Sequence, residues 1–212
     1  MGKAMQLQTQ FKQLLTGLNI PSASIDDAWQ TLANRYGEPH RHYHTLMHIE
    51  SMTRYFDGIK AQLNAPNSVL LAIFYHDIIY DPTCNDNEVN SAMVFTQTFG
   101  SYLSQTTLNR VRALTMATYK HELIDPHDTD MGYFLDIDLS ILGISLQRYQ
   151  DYAKAIRQEY HHVSDIDYQQ GRKAVLERFL QRPRLYFSEF FYTKFEQQAR
   201  ANLSQEIAEL SV

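Results

Sequence analysis

Pro66-Asn67-Ser68-Val69-Leu70-Leu71-Ala72-Ile73-Phe74-Tyr75-His76-Asp77-Ile78-Ile79-Tyr80 is the stretch on which the reading of the fold turns. By pattern alone, the apolar run Val69–Tyr75 suits a buried strand as well as a buried helix. It continues through Ile78-Ile79-Tyr80 without a turn signal, and Pro66-Asn67-Ser68 in front of it is a helix start. The run therefore predicts a central buried helix reaching Tyr80. His76-Asp77 then lies inside an apolar segment, where an ionisable pair is costly to bury unless it is paired or metal-bound. The plainer alternative is a helix that surfaces at residue 76.

Outward from this stretch, helix signals recur and strand signals are scarce. Ser24-Ile25-Asp26-Asp27 reads as a capping box opening a helix to Tyr36, which Gly37-Glu38-Pro39 ends. Leu46, Ile49, Met52 and Phe56 predict an amphipathic helix over Tyr43–Phe56. Asp86 can cap a helix through Phe99, and Thr106 or Thr107 one through Thr118. Asp128 can cap a helix carrying Phe134, Leu135 and Leu139. Ser164-Asp165-Ile166-Asp167 is another capping box, before a helix from Tyr168 to Leu180, which Pro183 stops, and a last helix runs from Ser188 to Leu210. With few Gly and Pro and no repeats, the expectation is an all-α chain forming one domain over residues 1–212.

Composition excludes several functions. Lys and Arg number 19 against 24 Asp and Glu, for a net charge of −5, and no basic stripe appears, which argues against a dedicated nucleic-acid binder. No apolar run is long enough to span a bilayer, and the first residues do not read as a signal peptide. The single cysteine, Cys84, cannot form an internal disulfide, so a cytoplasmic setting is expected. One Cys against nine His means that any metal site uses nitrogen and oxygen donors.

Three clusters could carry chemistry. The first is Pro39-His40-Arg41-His42-Tyr43-His44-Thr45-Leu46-Met47-His48. On a helix, His44 and His48 share a face and can serve one metal, or one can bind while the other moves protons. Thr45 replaces the Glu of a zinc-protease motif, which excludes that reading; a polar helix start is the plain alternative. The second is His76-Asp77. The third is Asp136 and Asp138 inside Phe134–Gly143; two apart on a helix, they cannot face the same way, and helix-end carboxylates bonded to backbone are the plain alternative.

His…His-Asp…Asp on successive helices resembles the HD-domain superfamily of metal-dependent phosphohydrolases. Within it, the chain is most similar to a little-characterised group of predicted phosphohydrolases. Arg41-x-Tyr43-His44, His76-Asp77-x-x-Tyr80-Asp81, Asn87-Glu88-x-x-Ser91-Ala92, Thr118-x-x-His121 and Asp136-x-Asp138-Leu139-Ser140 carry the likeness, with Ile156-Arg157-x-Glu159-Tyr160 and Gly171-Arg172 beyond. Asp138-Leu139-Ser140 and Tyr43-His44…His48 also look like segments of cyclic nucleotide phosphodiesterases, with Thr45 in place of their Asn. The resemblance implies His48, His76, Asp77 and Asp138 as metal ligands, and His44 as the acid that protonates the leaving group. It implies Asp77 as proton acceptor. Arg41, Lys120 and His121 are the candidates to meet substrate, since phosphoryl transfer needs a cation beside the metal. One divalent transition metal (Mn, Fe, Co, Ni or Zn, with Mg less suited) fits these donors; Asn87-Glu88 stands where many two-metal relatives have a histidine, so a second ion is not expected.

The function this implies is hydrolysis of a phosphate ester in a nucleotide or related small metabolite. The alternatives are a metal- and nucleotide-binding module without turnover, and a di-iron oxidase, which needs more histidines than can be placed. Arg172, Lys173, Glu177 and Arg178 read as a solvated helix face, and Arg157 as a tie between helices. The aromatic C-terminal helix (Phe190, Phe191, Tyr192, Phe195) can pack internally or across a homodimer.

Overall fold

Ten α-helices, two short 3-10 turns and no strand make up the regular structure among residues 3–211, which this computed structural model describes. The all-α expectation is met. The chain divides into two compact units, Met1–Asp125 and Pro126–Val212.

The first unit holds α1 (Lys3–Gly17), α2 (Ser22–Tyr36), α3 (Leu46–Ile59), α4 (Pro66–Tyr75), α5 (Asn87–Phe99) and α6 (Gln105–Ala117). Every residue from Ser68 to Tyr75 is buried. A helix that is apolar all round can only sit in the middle of its neighbours, and α4 packs against α3, α5 and α6. α1 carries no start signal read above. It is held by Leu7, Phe11, Leu14 and Leu15, a buried stripe at helical spacing, and Phe11 meets Phe74 of α4 edge-on at 4.9 Å.

Several boundaries differ from expectation. α2 begins at Ser22 behind Pro21, with no side-chain cap; the Ser24 hydroxyl lies 3.0 Å from the Tyr102 hydroxyl instead of capping. α6 is capped by Ser104, whose hydroxyl accepts from the Thr107 amide at 3.2 Å, rather than by Thr106 or Thr107. α3 begins at Leu46, not Tyr43, because Thr45 is its N-cap and accepts from the Met47 amide at 3.3 Å.

The largest difference is at the end of α4, which stops at Tyr75 rather than running to Tyr80. The backbone beyond it finds partners outside the helix. Arg41 donates to the carbonyls of Asp77 at 2.7 Å and Ile78 at 3.0 Å. The Ser91 hydroxyl accepts from the Ile79 amide at 3.1 Å and donates to the Ile79 carbonyl at 3.2 Å. Further on, the Asn87 side chain accepts from the Asp81 amide at 2.9 Å and donates to the Asp81 carbonyl at 2.8 Å. Asn87 and Ser91 of the Asn87-Glu88-x-x-Ser91 motif thus hold the turn that follows His76-Asp77.

Thr115, fully buried on α6, has a hydroxyl without a hydrogen-bond partner among the described residues. A buried hydroxyl left unpaired costs about 1–3 kcal/mol. Thr115→Val, nearly the same shape, is expected to raise stability by about 1 kcal/mol in urea unfolding; a loss of stability would show that the hydroxyl is satisfied.

The second unit holds α7 (Thr129–Leu139), a 3-10 turn (Ser140–Gly143), α8 (Leu146–Glu159), α9 (Asp165–Leu180) and α10 (Glu189–Glu209). Asp128, Ser164 and Ser188 cap α7, α9 and α10 through their side chains. α10 packs on the 3-10 turn so closely that a Cβ on Gly143 would lie 2.5 Å from the Phe195 Cβ, so only glycine fits there. Asn202 fixes the same contact by donating to the carbonyls of Leu142 at 2.8 Å and Ile144 at 2.9 Å.

Charged groups stitch this unit together. Arg157 bonds Asp165 at 2.6 Å and so ties α8 to α9, as its sequence suggests. Arg172 is not on a solvated face. It is largely buried and makes a two-pronged bond to Glu206 of α10, at 2.8 and 3.2 Å, while Tyr149 donates to the same carboxylate.

Candidate metal centre

The site residues of the first unit come from two places in the chain. His44 stands just before α3 and His48 in its first turn, while His76 is the C-cap of α4 and Asp77 follows it. His44 and His48 do not share a helix face, since His44 lies outside the helix. They still come together, their rings edge-on with centres 5.9 Å apart.

His48 and His76 are buried, at 5% and 1% exposure, and their Nε2 atoms stand 3.3 Å apart. The Nδ1 of His76 lies 3.1 Å from the Ile73 carbonyl. A carbonyl can only accept, so this contact calls for a proton on Nδ1 and leaves Nε2, which faces both His48 Nε2 and Asp77 Oδ2, as the nitrogen a metal would take. A backbone carbonyl bonded to the other ring nitrogen is the usual way in which the tautomer and orientation of a metal-binding imidazole are fixed. Two nitrogens ~2.0–2.1 Å from a common ion in tetrahedral geometry are about 3.3–3.4 Å apart. The same separation suits a weak N–H···N bond between neutral rings.

Asp77 is partly buried, and its Oδ2 lies 3.0 Å from His76 Nε2 and 3.9 Å from His44 Nε2. It therefore bridges the buried imidazoles and the more open one. The His44 ring stacks on Tyr80, with centres 4.1 Å apart, and meets Tyr43 edge-on at 5.0 Å. Asp138 is on α7, half-buried. Within the first unit, the buried His48 and His76 each offer one nitrogen that could serve a metal ion; Asp138 belongs to the second unit.

The remaining expected residues fall in different surroundings. Arg41 is not open to a substrate: its side chain has no exposure and its donors go to protein acceptors. Lys120 is exposed on the turn after α6. His121 sits there with a φ of 50°, in the left-handed region, where its amide closes α6 on the Ala117 carbonyl at 2.9 Å. Glu88, absent from the expected site, belongs to its electrostatic surroundings. Burial holds its carboxyl above the ordinary carboxylate range and Asp77 pushes the same way, while His121 and His76 oppose. Its signal in the sequence is the Asn87-Glu88 pair, read above only for the histidine it lacks.

Asp136 is engaged elsewhere. Fully buried, it accepts from the Phe187 amide at 2.7 Å, the Ser188 amide at 2.7 Å and the Ser188 hydroxyl at 2.6 Å. It holds the segment that leads into α10, including the cap of that helix. Of the pair Asp136 and Asp138 on α7, Asp136 is thus a structural anchor.

Comparison with protein-family models, with curated proteins and with solved structures finds no match. The functional reading therefore rests on the residues and their geometry.

Proposed function

We propose that the chain is a metal-dependent phosphohydrolase of the HD type, acting on a phosphate ester of a nucleotide or related small metabolite. The observation that carries this reading is the buried His48–His76 pair, with Nε2 atoms 3.3 Å apart and the His76 tautomer set by Ile73. His48 and His76 would hold the ion, with Asp77 beside them and Asp138 as the further ligand that the resemblance implies. When bound, a divalent ion neutralises phosphoryl charge and makes water a stronger acid.

The chain's own groups supply the rest. Asp77, 3.0 Å from His76 and 3.9 Å from His44, is placed to take a proton from the attacking water. His44 is the more exposed imidazole, steadied by its stack on Tyr80, and is placed to give a proton to the leaving oxygen. An imidazole is suited to this because its ordinary pKa, about 6.5, is near working pH. Hydrolysis would then break the bond from phosphorus to the ester oxygen as the water oxygen bonds phosphorus, with Asp77 taking one proton of the water and His44 giving its own proton to the leaving oxygen.

One observation favours the second reading, a metal- and ligand-binding module without turnover. The burial of Arg41 removes one of the cations expected to meet a phosphate, leaving Lys120 and His121 as candidates.

The test is elemental analysis of the purified protein, followed by a phosphate-release screen over nucleotides and sugar phosphates in the metal found. About one transition metal per chain, as for a single closed site, together with turnover that chelation stops is expected. Metal without turnover on any substrate supports the module; no metal after loading with Mn, Co, Ni or Zn overturns both.

A further inference from the structure

We propose that Arg41 is the positioning residue of this site, the buried fork that locks the His44 loop onto the His76-Asp77 turn. The inference rests on the metal-site reading for its purpose, but its geometry stands on the first unit alone.

The Arg41 guanidinium donates to four acceptors. Nε reaches Glu38 Oε2 at 3.1 Å. One terminal nitrogen reaches both the His44 carbonyl at 3.3 Å and the Asp77 carbonyl at 2.7 Å. The other reaches the Ile78 carbonyl at 3.0 Å. Three of these acceptors are backbone groups of the segments that carry His44 and Asp77. A single planar group thus spans the gap between residues 44 and 77.

Its faces are used as well. The guanidinium carbon lies 5.1 Å from the centre of the Tyr36 ring and 5.5 Å from that of Tyr80. Tyr80 in turn stacks on His44. The Tyr36 hydroxyl is itself anchored, donating to the Phe74 carbonyl at 3.1 Å. The order Tyr36, Arg41, Tyr80, His44 is therefore a continuous series of contacts from the core of the first unit to its most exposed site histidine.

A buried cation is tolerated only when its hydrogens are satisfied and its charge is met. Glu38 meets the charge, and the carbonyls take most of the hydrogens. Lysine cannot replace this arrangement, because its ammonium is a point donor without the planar fork. A merely structural arginine would stabilise the unit as a whole. A positioning arginine controls two short segments and, through them, the metal ligands.

The experiment compares wild type with Arg41→Lys and Arg41→Met by native-state hydrogen exchange without metal, and by cobalt binding followed through its absorption. Loss of protection is expected at the amides of Thr45, Ile78 and Ile79 in both variants, with the His76 amide inside the last turn of α4 unchanged. Cobalt affinity is expected to fall about 10- to 100-fold, the usual cost of removing an outer support of a metal site, with Arg41→Lys less affected than Arg41→Met. Unchanged protection at the three amides, or an equal loss across α4, overturns the proposal. If wild type binds no cobalt, the metal reading fails, and the exchange pattern still decides the role of Arg41. If Arg41→Met does not fold, Arg41→Lys carries the test.

Discussion

Replacing His76 with alanine is expected to abolish the thermal stabilisation that a divalent transition metal gives the wild-type chain. A ligand that binds only the folded state stabilises it by about 2.7 kcal/mol at a hundredfold excess over its dissociation constant. In a single domain of moderate size that is a shift of several degrees in melting temperature, easily read by calorimetry with and without zinc or cobalt. His76 supplies one of two buried imidazole nitrogens, and the bond of its other nitrogen to Ile73 orients it. Without it, one imidazole is left of the buried pair. The loss in affinity should exceed the about 10- to 100-fold that follows removal of an outer support. The variant also leaves a cavity, so its melting point without metal should fall. The decisive quantity is the difference with and without metal, which this cavity does not affect. A metal-dependent shift in His76→Ala equal to that of wild type would sink the site.

Asp136→Ala and Asp138→Ala, two residues apart on one helix, should have opposite phenotypes. Asp136→Ala removes the acceptor of two amides and one hydroxyl, and is expected to destabilise the chain by on the order of 3 kcal/mol while leaving metal binding intact. Asp138→Ala is expected to remove metal binding with a smaller effect on the stability of the metal-free chain. The Asp136 penalty also depends on pH. Burial raises its carboxyl from 3.8 to about 6, although its bonds to Ser188 and Phe187 pull the other way. Between these values the folded chain holds a proton that the unfolded chain has lost. The stabilisation is therefore complete below about pH 4 and declines as pH rises through about 6. Asp136→Ala lacks this titration, so its deficit should be larger at pH 5 than at pH 8. Denaturant titrations at both pH values check this. An equal deficit, or metal lost from Asp136→Ala and kept in Asp138→Ala, would reverse the assignment.

Much of the fold was legible in the chain because helix starts are local. The caps Asp128, Ser164 and Ser188 act on amides within three residues, and the apolar run before His76 needs no partner to be read as buried. His76 and Asp77 were legible for a related reason, since an ionisable pair beside an apolar run is costly and calls for a purpose, whereas His44 and His48 stood out by their spacing and took their roles from the family resemblance.

What the chain alone did not decide were the matters settled by partners far away in sequence. α4 ends at Tyr75 because Arg41 and Ser91 take up the backbone groups that another helical turn would have paired. His44 reaches His48 through a loop held by that same arginine, not through a shared helix face. Asp136 belongs to the segment before α10 because donors at residues 187 and 188 point at it, and Arg172 is buried because Glu206 awaits it. Local spacing specifies which backbone groups a helix can satisfy within itself; only tertiary packing brings the side chains that satisfy the rest, and with them the positions of the charged groups.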